Sequence, residues 1–197
     1  MDLRLCTPII LSNLSNLSVF VLEQNPEKLS RCMQQFAKNK EHVQIVTNER
    51  SLSFYDKGLQ VQTTYQPDTY DYHRGAAYLF DDCLTDDWRK DPKLVDFISY
   101  PRMYGLTTVF GFRCLPDLPS RMYWNLDLIC IGVTDDRDKI YDAWFMYRMS
   151  YDTFCDLVDT YTNEDGFLVL RREGTEDRIY RTVKSKNTYT LLTVGFP

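Results

Sequence analysis

The sequence predicts an α+β fold, in which a mainly antiparallel sheet carries two repeat-like β-α-β-β-β units and an inserted short-helical segment. Helical patterns with the same apolar spacing stand near both ends of the chain, and each is preceded by one strand-like segment and followed by three. A chain of 197 residues can bury one self-sufficient core. We therefore expect a single domain, with a first unit at 1–65, the insertion at 66–119 and a second unit at 120–197.

The first unit contains the clearest helix of the sequence. Asn25 suits the N-cap, and Pro26 suits the first helical position because its missing N–H has no partner there in any case. An apolar stripe at the spacing i, i+3, i+4, i+7 follows, formed by Leu29, Cys32, Met33 and Phe36. The strand-like segments of this unit are 3–11, 17–23, 42–46, 51–55 and 59–64.

The middle segment is rich in aspartate and tyrosine. Asp91 followed by Pro92 predicts a helix start, and 107–114 is typical of a strand. In the second unit, 122–133 and 139–149 are predicted as two long strands of an antiparallel hairpin. Ser150 is a natural N-cap for a second helix. Three closing strands are predicted at 167–173, 178–185 and 188–194.

Composition and motifs argue against catalysis. The chain has two histidines, neither of them in a nucleophile motif, and eight glycines that form no phosphate-binding pattern. The six cysteines are scattered with no C-x-x-C pair, so we expect structural thiols, no metal and no cofactor. The net charge of -5 argues against a wholly basic nucleic-acid or membrane binder. With no signal peptide and no membrane span, the chain is expected to be intracellular, cytoplasmic or nuclear.

The preferred hypothesis is a non-catalytic protein-protein interaction module, a regulatory or accessory protein of the kind found in viruses. Tyrosine and tryptophan supply large contact areas with a polar tip, which suits protein interfaces. The partner would be another protein, and a homo-oligomer stays open. The predicted partner-binding residues lie in the middle segment and are Tyr70, Tyr72, Trp88, Tyr100 and Tyr104.

Two alternatives stay open. The first is a DNA-binding accessory protein, since the predicted order of elements resembles the doubled unit of DNA sliding clamps. Its nucleic-acid contacts would lie in the basic closing meander, at Arg171, Arg172, Arg178, Arg181 and Lys184. The second is a metal-dependent nuclease with Asp127 and Asp142 on neighbouring strands, although the lysine that such enzymes need on the second strand is missing.

Overall fold

A computed structural model describes most of the chain. The described residues are 8–64, 73–83, 91–117, 124–146, 148–163, 165–173, 176–186 and 188–194. Within these ranges, no helix is both long enough and apolar enough to cross a membrane.

The described strands join in a single sheet. They are β1 Ile9–Ile10, β2 Ser18–Leu22, β3 Val43–Thr47, β4 Val61–Gln62, β5 Ala77–Asp81, β6 Thr107–Phe112, β7 Leu128–Ile131, β8 Leu168–Glu173, β9 Glu176–Ser185 and β10 Thr188–Thr193. Their order across the sheet is β1-β10-β9-β8-β7-β2-β6-β5-β3-β4. The run from β7 to β4 is parallel throughout, and the run from β7 to β1 is antiparallel throughout.

The helices cover both faces of this sheet. They are α1 Pro26–Ala37, α2 Pro92–Ser99, α3 Pro101–Tyr104, α4 Arg137–Ile140 and α5 Tyr151–Tyr161. A π-helical turn, Tyr141–Phe145, continues α4, and short 3₁₀ turns occur at Leu11–Asn13 and Leu52–Phe54. The N-caps predicted from sequence are confirmed, since Asn25, Asp91 and Ser150 each accept hydrogen bonds from the first backbone N–H groups of their helices.

The core has two layers because the central strands are buried on both faces. On one face α1 packs Leu29, Met33 and Phe36 against β2, β5 and β6. On the other face, α2 and the helices after β7 cover the aromatic side chains of the same strands, and the rings of Phe80 and Phe110 stack at 4.8 Å. Strands covered on both faces are apolar at nearly every position, as parallel strands generally are.

The α+β class is confirmed, but the expectation of a mainly antiparallel sheet is wrong. Helical crossovers through α1 and α2 make the central strands parallel. The repeat is not confirmed either, because the strands after α1 pair in parallel and those after α5 pair as an antiparallel meander. The middle segment is not an insertion outside the sheet, since it contributes β5 and β6 to the centre. The division at 65 and 119 stays a prediction.

Two predicted strands are helical or turn-like. In the predicted strand at 139–149, residues 139–145 lie in α4 and the π-helical turn, where Ile140, Trp144 and Phe145 are buried at helical spacing. The segment 51–55 contains the 3₁₀ turn Leu52–Phe54 instead of a strand.

Candidate functional site

The carboxyl ends of β2, β3, β5, β6 and β7 meet at one edge of the sheet, which we call the carboxyl edge. In open α/β sheets this is the edge where ligands bind, because the loops that follow the strands and the starts of the helices converge there. The charged side chains there include Glu23, Lys28, Asp81, Asp82 and Arg113. They come from three strand ends and the first turns of α1.

The turn from β2 into α1 places a carboxylate beside the start of the helix. Glu23 is 1% exposed, and its two oxygens accept hydrogen bonds from the backbone N–H of Asn25 (2.9 Å) and of Val133 (3.1 Å). The backbone N–H groups of Glu27 and Lys28 are capped by Asn25 at 3.0 and 3.2 Å. The partial positive charge of a helix N-terminus stabilises an anion, and here the chain supplies that anion itself.

Lys28 encloses the same carboxylate from the first turn of α1. Its ammonium nitrogen lies 2.8 Å from Oε2 of Glu23, and it also donates to the carbonyl oxygen of Asn163 at 2.8 Å. The ring of Phe167 covers it at 4.8 Å. Gly132 permits the close approach, since a Cβ at that position would lie 2.0 Å from Oε2 of Glu23. The result is a compact, buried ion pair.

Asp81, the last residue of β5, is fully buried beside α1. Its Oδ2 accepts three hydrogen bonds from hydroxyl groups: Ser30 at 2.9 Å, Thr47 at 3.0 Å and Tyr55 at 2.8 Å. Its Oδ1 is buried and has no hydrogen-bond partner among the described residues. Burial raises the pKa of Asp81, against the lowering effect of the hydroxyl groups, and burial together with the Asp81 charge raises the pKa of Tyr55.

A second carboxylate follows at once along the chain. Asp82 has a left-handed backbone conformation (φ 47°), which turns the chain away from the sheet after β5. Its Oδ2 accepts a hydrogen bond from Nε of Arg113 at 2.5 Å, and Arg113 follows the neighbouring strand β6. Two adjacent carboxylates, one with a buried unpaired oxygen, have the donor chemistry that Mg²⁺ prefers.

The partner-binding residues predicted from sequence are not at this edge. Tyr70, Tyr72 and Trp88 lie outside the described residues. Tyr100 and Tyr104 stand at the ends of α2 and α3, next to the amino end of β6, where Tyr100 is half exposed and Tyr104 is partly buried. The protein-binding role of all five stays a prediction.

The basic meander is spread over the length of β8 and β9. Arg171 and Arg178 are paired across these strands near the amino end of β7, while Arg181 lies opposite Leu168 at the other end. Several of its charges have partners: Arg172 lies 3.4 Å from Asp177, Lys184 lies 2.6 Å from Asp165, and Arg181 stacks over Tyr161. Hydrogen bonding by Lys184 also lowers the pKa of Asp165.

The nuclease hypothesis is wrong because its two carboxylates do not meet. Asp127 stands before β7 and accepts a hydrogen bond from the backbone N–H of Ser18 at 2.9 Å, with Arg102 as its ion-pair partner. Asp142 lies beyond the other end of β7, exposed in the π-helical turn. Because the predicted hairpin does not form, Asp127 and Asp142 do not share a metal site.

No protein-family model matches the chain, and no curated protein matches its sequence. The fold is similar to solved structures of the genome-packaging NTPase B204 from Sulfolobus turreted icosahedral virus 2. The sulfate complex is 14% identical, with a TM-score of 0.56, and the alignment covers 83% of this chain and 94% of that one. The AMP complex is also 14% identical, with a TM-score of 0.55 and coverage of 83% and 96%.

The DNA-packaging ATPase B204 of Sulfolobus turreted icosahedral virus is similar to the same degree. It is 13% identical, with a TM-score of 0.55, and the alignment covers 83% of this chain and 96% of that one. These likenesses establish a shared fold over nearly the whole of the B204 chains.

The comparison corrects the functional hypothesis drawn from sequence. A non-catalytic interaction or accessory module is contradicted, since the proteins that share the fold are genome-packaging NTPases, some of them solved with bound nucleotides. The resemblance to a sliding clamp is also wrong, because the sheet is mixed with a parallel centre and is not a doubled antiparallel unit. Sequence reasoning missed Glu23 and Lys28, and it counted Asp81 and Asp82 only among the many aspartates of the middle segment, leaving open whether that segment binds metal. The usable signal was a run of apolar residues ending in Asp81 and Asp82.

Proposed function

We propose that this chain binds and hydrolyses a nucleoside triphosphate at the carboxyl edge, as a motor-type protein that acts on nucleic acid. The observation that carries the proposal is the placement of Asp81. It ends a central parallel strand, accepts a hydrogen bond from Ser30 on α1, the helix that follows β2, and keeps one buried oxygen unpaired. The likeness to packaging NTPases supports the same assignment.

Two adjacent carboxylates offer the oxygen ligands that a magnesium ion prefers. Asp81 and Asp82 would hold it, and the metal would supply charge neutralisation at the phosphates. The chain's own contribution is to fix the two carboxylates: three hydroxyl groups orient Asp81, and Arg113 orients Asp82. Arg113 also stands as a cation at the edge, where it is suited to pair with phosphate oxygens.

The phosphate groups would meet the start of α1, where Lys28 supplies the positive charge. The chain has no glycine-rich loop there, and the turn at 23–25 is short. Glu23 now takes the position beside Lys28, so a phosphate must displace its carboxylate. We therefore expect weaker nucleotide binding than a glycine-rich loop provides, since two anions compete for one cation.

The test is magnesium-dependent binding of a fluorescent ATP analogue, together with release of phosphate from ATP. Asp82→Asn should lower hydrolysis by about a hundredfold, the size of effect seen when one charge-stabilising group is removed from an active site. Asp156→Asn, a matched change on the exposed face of α5, should leave both measurements unchanged.

A native chain that neither binds nor hydrolyses the nucleotide in the presence of magnesium would overturn the proposal. Equal activity of the native chain and Asp82→Asn would also remove the acidic pair from the mechanism. Circular dichroism of both variants checks that the fold is retained.

A further inference from the structure

The only two histidines of the chain stack on each other at the opposite edge of the sheet, where the parallel strands begin. His42 immediately precedes β3, and His73 lies just before the neighbouring strand β5. Their ring centroids are 5.2 Å apart and the rings are inclined by 27°. Both side chains are exposed, and both line a cavity of about 360 Å³.

Two permanent cations stand beside the histidines. Lys40 lines the same cavity, and Arg74 lines an adjoining cavity of about 420 Å³ that Lys40 and His42 also border. Arg74 is held over Gly105, where a Cβ would lie 2.7 Å from its Cγ, and the backbone N–H of Gly75 donates to the carbonyl of Gly105 at 2.8 Å. The turn at Gly75 and the backbone of Gly105 therefore position the aliphatic part of the Arg74 side chain.

Among the described residues, negative charge is scarce at this surface. Among the residues that line the two cavities, Glu41 is the one carboxylate, and Tyr78 on β5 is the remaining titratable group. Lys40 donates to the carbonyl of Leu14 at 3.3 Å, and partial burial lowers its pKa. A bound anion would offset that desolvation, because an opposite charge nearby favours the charged form of an amine.

We propose that this surface, formed by Lys40, His42, His73 and Arg74 and here called the histidine edge, binds the phosphodiester backbone of a nucleic-acid strand, more tightly when the histidines are protonated. Its four groups are cationic or become so on protonation, and flat imidazole rings can also contact bases. The inference rests on the proposed function only in its choice of nucleic acid as the polyanion.

The direction of the pH effect follows from charge. When both rings are protonated, two further positive charges stand close together beside Lys40 and Arg74. A phosphate between these groups is attracted to them and favours the protonated pair. Binding therefore takes up protons, and the affinity is high at acidic pH and falls as pH rises through the range where histidine loses its charge.

The two other surfaces considered for this role are less suitable. The carboxyl edge is the surface where the proposed function places the nucleoside triphosphate and its magnesium ion. In the meander, Arg172 and Lys184 are engaged by Asp177 and Asp165. The histidine edge concentrates cationic groups around two neighbouring cavities, and in the part of the chain that the structure describes only one carboxylate, Glu41, faces them.

The experiment measures binding of a fluorescein-labelled oligothymidylate of about 20 nucleotides, a length that spans one single-strand binding site. Anisotropy titrations of the full chain, without nucleoside triphosphate or metal, are run between about pH 5.5 and pH 7.5, where histidine titrates. Affinity should be about tenfold higher at the acidic end, the gain typical of a charge-assisted hydrogen bond. The double variant His42→Gln/His73→Gln should remove this pH dependence.

Two further variants test the permanent cations. Lys40→Gln and Arg74→Gln should each weaken binding and reduce the slope of log affinity against log salt by about one, the effect of one lost phosphate contact. Lys139→Gln, a matched loss of an exposed charge on α4 at the other edge, should leave the slope unchanged.

Absence of binding at every pH, or a pH dependence that survives in the double histidine variant, would overturn the inference. Equal competition by inorganic polyphosphate at the same phosphate concentration would indicate a general phosphate site and overturn the assignment to nucleic acid. Because no nucleoside triphosphate is present, these outcomes are independent of whether the carboxyl edge hydrolyses ATP.

Discussion

The ammonium nitrogen of Lys28 lies 2.8 Å from Oε2 of Glu23, and both side chains are at least nineteen-twentieths buried, with 5% and 1% of their surface exposed. An ion pair so enclosed offers less net stability than its short distance indicates, because each charge loses its hydration. The Glu23 carboxylate is also fixed beside the start of α1, where a phosphate would otherwise be attracted. The pair therefore links the stability of the fold to the access of a phosphate to the carboxyl edge.

Removing one partner of this pair should be far more costly than removing both charges. Lys28→Met leaves the Glu23 carboxylate buried without its cation, and we expect the free energy of unfolding to fall by about 3–5 kcal/mol. In Glu23→Gln/Lys28→Met neither charge remains, and about half of that loss should be recovered. Urea denaturation of the native chain and both variants measures this. A single variant as stable as the native chain would contradict the buried pair.

Gly132 should be intolerant of a side chain because Glu23 occupies the space. A Cβ there would lie 2.0 Å from Oε2 of Glu23 and 3.1 Å from the Phe167 ring. Gly132→Ala should lower the free energy of unfolding by about 1–3 kcal/mol, the usual cost of overpacking. Gly58→Ala is the matched control, since a Cβ at position 58 meets nothing within 4 Å. Equal unfolding midpoints for the two variants in urea would show that Glu23 moves aside freely.

Local signals in the sequence predicted the helix starts correctly. A helix start depends on neighbouring residues alone, because the capping side chain binds backbone N–H groups two or three residues further along the chain. The signals were Asn25 and Pro26 for α1, Asp91 and Pro92 for α2, and Ser150 for α5. The direction of strand pairing has no such local signal. It depends on which distant segments meet, and the crossovers through α1 and α2 make the central strands parallel where antiparallel pairing was expected.

The error at 139–149 has a specific cause. Ile140, Trp144 and Phe145 are apolar in a short segment that suits either a strand or a buried helix, and periodicity cannot separate the two at that length. The candidate site was missed for a related reason. Asp81 meets Ser30, Thr47 and Tyr55, which come from segments 26 to 51 residues away, so no motif within one window contains them together.

Asp81 should make the stability of the fold depend on pH in an unusual direction. Burial raises its pKa in the folded chain, so folding favours the protonated acid. Its stabilising contribution is therefore fully present below the ordinary aspartate range, around pH 4, and is lost as pH rises through the higher folded value. The free energy of unfolding of the native chain minus that of Asp81→Asn should decrease from about pH 4 to neutral pH, as measured by urea denaturation at each pH.

Asp159 is the control of opposite sign. A hydrogen bond from Arg137 at 2.5 Å lowers its pKa, so its contribution is present above the ordinary aspartate range and is lost as pH falls through the lower folded value. The difference between the native chain and Asp159→Asn should therefore rise with pH. If both differences change in the same direction, burial does not govern the titration of Asp81.

Cys114 should report on occupation of the carboxyl edge. It is exposed and directly follows Arg113, the ion-pair partner of Asp82. Cys32 on α1 and Cys130 on β7 are buried in the same core layer. Iodoacetamide should therefore modify Cys114 in the folded chain and leave Cys32 and Cys130 unmodified, as peptide mass spectrometry would show.

Under the proposed function, magnesium with a non-hydrolysable ATP analogue should slow the modification of Cys114, because the bound phosphates would cover Arg113. The same analogue should give no protection in Asp82→Asn. Protection that persists in this variant would place the nucleotide away from the acidic pair.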